Sequence, residues 1–139
     1  MSAQLYLEEV SVGDELPPML KNASRAQLFL FSAATNNPHR IHYDREYAAV
    51  EGHPDILIHG PLQGAWLHQF IQDWAGPAGK VTNLTWQNRV RAFPERDYTF
   101  KGRVTAIEDE SVSLEVWEED DTGTNCMPGT ARVSLPRRT

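Results

Sequence analysis

Apolar positions follow two different periods along this chain. In the first part they recur at three- and four-residue spacing. Ser24 with Gln27 three residues on reads as a helix cap, and Leu28, Phe31 and Ala34 follow at helical spacing, which predicts a helix over about 24–34 that ends near Asn36-Asn37-Pro38. A short helix is expected from Asp44 to about Val50. Gly60-Pro61 opens the longest helical pattern: Leu62, Trp66, Phe70 and Trp74 fall four residues apart, Leu67 and Ile71 widen the stripe, and Gly76-Pro77 stops it. After residue 80 the period becomes two. Leu84, Trp86, Val90 and Ala92 alternate with polar residues, as do Tyr98 to Ala106 and Val112 to Val116, and a last strand is expected over about Thr130–Leu135. Asp120-Asp121-Thr122-Gly123 reads as a turn. Four consecutive strands with short connections predict an antiparallel meander whose apolar face the Gly60–Trp74 helix covers. The fold class is therefore α+β, one long helix wrapped by a curved antiparallel sheet.

Length adds that the 139 residues make a single domain, 1–139, with no repeat, linker or low-complexity tract. A net charge of -6 gives no basic footprint for nucleic acid or an anionic membrane. One cysteine, Cys126, excludes an internal disulfide framework. No apolar run has the length of a membrane span, and Met1–Glu9 has neither a basic nor an apolar export region, so a cytoplasmic protein is expected.

The densest polar cluster is Asn36-Asn37-Pro38-His39-Arg40-Ile41-His42-Tyr43-Asp44, and His59 stands just before the long helix. Histidine and asparagine on a loop between rigid elements are common site components. His39, His42, Asp44 and His59 are also a set of metal donors. Their spacing is not a helical one and cysteine partners are missing, so no metal site is expected. His39 and Arg40 are expected to stabilise the loop, Arg40 by pairing with Asp44.

These residues resemble the MaoC-like hydratases and dehydratases, R-specific hot dog proteins that act on enoyl thioesters. The likeness begins at Leu7–Leu16, similar to that family's opening strand and turn, continues through Phe31-Ser32-Ala33-Ala34-Thr35, and includes the His-Gly segment His59-Gly60-Pro61-Leu62. The family's Asp-x-Asn-Pro-Ile-His-x-Asp motif aligns in two ways. Matching Asn37-Pro38 needs a two-residue insertion and puts Thr35 at the aspartate position. Matching Ile41-His42-Tyr43-Asp44 needs none and puts Asn37 there. We adopt the ungapped register. Asp73-Trp74-Ala75-Gly76-Pro77 further resembles the small subunit of two-component hydratases of steroid side-chain breakdown.

The resemblance implies hydration of a 2-enoyl thioester or the reverse dehydration. That chemistry needs a base for water, a proton source and donors for the thioester oxygen. His42 is then the general acid/base, Asn37 holds the water, and the Gly60 N–H at the helix head serves the oxyanion. His59 is assigned to substrate binding with its His-Gly segment. Arg89 and Arg91, with Lys101 and Arg103 on two neighbouring strands, are expected to meet the phosphates of coenzyme A or acyl carrier protein. The carrier belongs to the substrate, so no separate cofactor is expected. A lone hot dog leaves an open sheet edge, so a homodimer or a heteromer with a second hot dog subunit is expected. Two other readings stay open: a half-catalytic acyl-thioester-binding subunit, and a thioesterase. The second is disfavoured because Gly60–Phe70 carries no Asp or Glu.

Overall fold

The computed structural model describes residues 3–139. In chain order the elements are β1 (Met19–Lys21), α1 (Arg25–Ala34), α2 (Arg45–Val50), α3 (Gly60–Ala75), β2 (Lys80–Trp86), β3 (Tyr98–Glu108), β4 (Ser111–Glu119) and β5 (Asn125–Ser134), with one-turn 3-10 helices at Leu7–Glu9 and Arg40–His42. Ser24 caps α1 by accepting from the Gln27 N–H, and Asp44 caps α2 by accepting from the Tyr47 N–H. The long helix turns Leu62, Trp66, Leu67, Phe70, Ile71 and Ala75 inward, as its stripe predicts. It ends at Gly76, where a φ of 81° requires glycine. The sheet supplies Tyr98, Phe100, Val104, Val112, Leu114, Val116, Ala131 and Val133 to the same core.

All five strands pair antiparallel in the order β1-β3-β4-β5-β2. The expected meander is correct for β3, β4 and β5 only. β2 lies beyond β5 and not beside β3, and it stops at Trp86 rather than near Ala92. The reason lies in residues 87–97, which are too many for a hairpin and bond elsewhere. Ile58 N–H donates to Ala92 O, Glu95 N–H to Ala23 O, and the Arg89 and Val90 N–H groups to Cys126 O. The expected opening strand is also corrected. Leu7–Glu9 forms a 3-10 turn, and only Glu15 bridges to Arg103. The extra strand β1 follows Pro17-Pro18 at a sheet edge, where proline costs no ladder bond.

Two features seat the head of α3. Gly64 lies under Trp86, and a Cβ there would come within 2.2 Å of the indole. Asn88 lies against Gly60, its Oδ1 2.8 Å from where a Cβ would be.

Candidate active site

The loop between α1 and α2 is fixed by its own polar residues. Asn36 takes a left-handed φ of 51°, a conformation asparagine tolerates. The Asn37 N–H donates to Ser32 O at 2.9 Å. Asn37 Oδ1 accepts from the His39 N–H, and Tyr43 OH donates to Pro38 O. His39 pairs with Glu51 at 3.1 Å and Arg40 with Asp44 at 2.6 Å, the loop-stabilising roles expected of both.

The 3-10 turn Arg40–His42 turns His42 inward, leaving it 8% exposed. His42 Nδ1 lies 2.8 Å from Leu57 O. A carbonyl only accepts, so Nδ1 carries the proton and Nε2 keeps a bare lone pair. Burial is the main cause that holds the ring's pKa below the ordinary histidine value, outweighing the bond to Leu57 O, which acts the other way. His42 is thus a neutral base at pH 7.

His59, the N-cap of α3, is completely buried. Its ring stacks on His42 with centroids 3.8 Å apart and planes 16° from parallel, and Phe31 meets it edge-on at 4.8 Å. His59 Nε2 lies 2.7 Å from Ser32 Oγ, while Nδ1 has no partner. Burial and the neighbouring His42 lower its pKa to about 4. Gly60 follows directly at the first helical position, where the N–H has no intrahelical acceptor.

A cavity of about 210 Å³ opens between α1 and the loop. Ser32 and Asn37 line it together with Phe29, Ala33, Pro38 and Tyr43. Neither His42 nor any residue of the long helix lines it; His42 adjoins it through His59, which stacks on His42 and bonds Ser32.

The basic residues divide differently from expectation. β2 and β3 are not neighbours, so Arg89, Arg91, Lys101 and Arg103 form no common stripe. Lys101 pairs with Glu119 and Arg103 with Glu115. Arg89 bonds the neutral Gln87, and Arg91 bonds Gly52 O and His53. Both stand in the loop that carries Asn88 against Gly60, and among the described residues neither has a carboxylate partner.

Two residues escaped the sequence reading. Ser32 was visible only as part of a resembling segment. Glu118 continues the inward alternation Val112, Leu114, Val116 by one step and is completely buried. Gln63 of α3 donates to its Oε1 at 2.7 Å, Asn88 donates to Gln63 Oε1 at 3.0 Å, and Glu118 Oε2 has no partner. Burial raises this carboxyl to about 7 against the opposing bond from Gln63. Cys126 is buried, and burial raises its thiol to about 11, which keeps it unreactive. No group of three or more potential metal ligands occurs among the described residues, and no helix there is long and apolar enough to cross a membrane.

One long helix wrapped by a five-stranded antiparallel sheet, with a histidine-bearing loop at the helix head, defines a hot dog domain of the hydratase and dehydratase kind. The family model described as hydroxyacyl-thioester dehydratase type 2 matches residues 16–94, more than half of the chain. The chain belongs to that family of MaoC-like hot dog proteins. It is 26% identical over 127 residues to the 3-oxo-4,17-pregnadiene-20-carboxyl-CoA hydratase beta subunit of Mycobacterium tuberculosis, a match that covers 91% of this chain and 96% of that protein. It is 51% identical over 65 residues to mesaconyl-C(4)-CoA hydratase of Chloroflexus aurantiacus, 42% of this chain and 23% of that one. Among solved structures, a chain of the ChsH1-ChsH2 complex from Mycobacterium tuberculosis superposes with a TM-score of 0.83 at 24% identity, covering 90% of this chain and 98% of that chain. The (R)-hydratase from A. caviae superposes with a TM-score of 0.86 at 20% identity, covering 93% and 99%.

Proposed function

We propose that this chain hydrates 2-enoyl thioesters to 3-hydroxyacyl thioesters, or runs the reverse dehydration, with His42 as general acid/base. The observation that carries this reading is the hydrogen bond from His42 Nδ1–H to Leu57 O, which leaves Nε2 bare on a ring that burial keeps neutral. In hydration Nε2 takes a proton from the water that attacks C3, and the imidazolium returns a proton to C2. In dehydration His42 takes the C2 proton and returns one to the departing hydroxyl. Asn37 orients the water through its amide. The Gly60 N–H stabilises the charge that builds on the thioester oxygen. His59 is completely buried, so it does not touch substrate as its sequence position suggests; it backs His42 by stacking on it. Arg89 and Arg91, free of carboxylates, meet the phosphates of coenzyme A or of a carrier protein's prosthetic arm.

The domain works with a second hot dog subunit. β1 and β2 are the outer strands of the sheet, so each offers an unpaired edge. The Mycobacterium tuberculosis relative that matches nearly end to end is a beta subunit, and a structural neighbour comes from a two-component complex. Asn37 stands where the usual family motif carries a carboxylate and where one branch carries asparagine; the missing carboxylate keeps the related reading of a subunit whose partner supplies part of the chemistry. A thioesterase is disfavoured: the carboxylate packed against α3, Glu118, is completely buried and reaches no substrate.

Loss of the conjugated absorbance of a short and of a bulky 2-enoyl-CoA tests the reading, with a thiol-trapping dye beside it. Absorbance loss without free thiol is the expected result. Thiol release without hydration contradicts it.

A further inference from the structure

The hydrogen bond between Ser32 Oγ and His59 Nε2 spans 2.7 Å and runs one of two ways. If the serine hydroxyl donates, the ring proton sits on Nδ1, which is buried and has no acceptor. If Nε2–H donates, Nδ1 is only an unfilled acceptor. An orphaned buried N–H is the rarer and costlier arrangement, so the second form prevails. The ring therefore gives its proton to Ser32 Oγ, and the hydroxyl hydrogen of Ser32 is free to point elsewhere.

A helical serine usually spends that hydrogen on the carbonyl one turn back. Thr35, at the end of α1, does so, donating to Phe31 O at 2.7 Å. Ser32 makes no such bond; His59 is its one side-chain partner among the described residues. The direction left is the cavity that Ser32 lines together with Asn37. Asn37 Oδ1 is already engaged with the His39 N–H, so its Nδ2 hydrogens are also available there. Phe29, Ala33 and Pro38 make most of the remaining wall apolar. Ser32 and Asn37 thus line one small hollow, beside Asn36, and the main chain ties them to each other through Asn37 N–H and Ser32 O.

Resting on the hydratase reading above, we propose that the Ser32 hydroxyl is a catalytic hydrogen-bond donor that, with Asn37, holds the oxygen that adds to or leaves C3, while His59 is a positioning residue that orients that hydroxyl. Donors on the water favour its loss of a proton to His42 Nε2, and in dehydration the same donors stabilise the departing oxygen. Neither Ser32 nor His59 gains or loses a proton in this role.

Two measurements on the full chain test the proposal. Nitrogen NMR of the histidine rings reads the His59 tautomer independently of turnover. The expected form carries the proton on Nε2, and a proton on Nδ1 overturns the proposal. Kinetics read the donor itself. Ser32→Cys, close to serine in size but a weak donor, should lower kcat about 100-fold. Ser32→Thr, which keeps the hydroxyl, should restore kcat to within about fivefold of wild type, and KM should move less than about threefold in both. A structural role predicts equal damage from both variants, and that result overturns the proposal, as does a Ser32→Cys enzyme with wild-type kcat. An active wild type with Ser32 immaterial removes this proposal alone. A wild type inactive on enoyl thioesters, alone and with a partner subunit, removes the hydratase reading and this one with it.

Discussion

His42 and His59 lie ring on ring, 3.8 Å between centroids, and only one of them contacts the backbone carbonyl that fixes a tautomer. Two charged imidazoles in this position would repel each other, and His59, at about 4, stays neutral through the physiological range. His42 alone is left to carry a proton during turnover. Its pKa is lowered, so the neutral base dominates above the ordinary histidine value of 6.5. The kcat/KM for hydration should be flat at neutral pH and fall on the acid side with a midpoint below the ordinary histidine value. A pH–rate profile checks this, and a limb above pH 7 would assign the base elsewhere.

Asn37→Asp places a carboxylate where the family carries one. A negative charge on the loop that carries His42 favours the imidazolium, so the acidic limb of the hydration profile should move to higher pH. The same profile, repeated on the variant, checks it. An unmoved limb would separate position 37 from the base.

Glu118 should leave a mark on stability. Its carboxyl sits at about 7 in the folded chain against an ordinary 4.5. Between those values the folded state keeps a proton that the unfolded state has lost, so stability falls as pH rises through the window and the penalty is complete above about pH 7. Glu118→Gln keeps an acceptor for Gln63 and cannot ionise. The stability difference between variant and wild type should therefore shift in the variant's favour by about 3 kcal/mol from pH 4.5 to pH 8. Urea unfolding at the two pH values measures it.

Gly64→Ala tests how the head of α3 is seated. The added methyl lands 2.2 Å from the Trp86 ring, so the indole or the helix must shift. Overpacking of this kind costs about 1–3 kcal/mol, more than the helix propensity of alanine returns. The expected outcome is a lower Tm and a changed Trp86 emission, read against a Trp86→Phe control.

The long helix was legible because its stripe is set by local periodicity, and the loop was legible because its histidines and asparagines cluster in sequence. Strand pairing was not. Val90 and Ala92 alternate like a strand, yet the Ala92 carbonyl is taken by Ile58 and Pro94 follows, and neither partner choice is encoded locally. The Arg89 and Lys101 stripe failed for the same reason, since it required β2 and β3 to be neighbours. Glu118 was within reach of the pattern, one step beyond Val116, but a carboxylate reads as an outward residue until its burial is seen. Ser32 and His59 are far apart in sequence, and only the fold puts Oγ at hydrogen-bond distance from Nε2.

The central claim is that His42 Nε2 is the base of an enoyl-thioester hydratase. The most direct test measures hydration of 2-enoyl-CoA by wild type and His42→Ala side by side at pH 7.5, with unfolding curves to show that both are folded. Loss of the base should lower kcat by about 100- to 10,000-fold. A folded His42→Ala enzyme that hydrates at the wild-type rate would contradict the account.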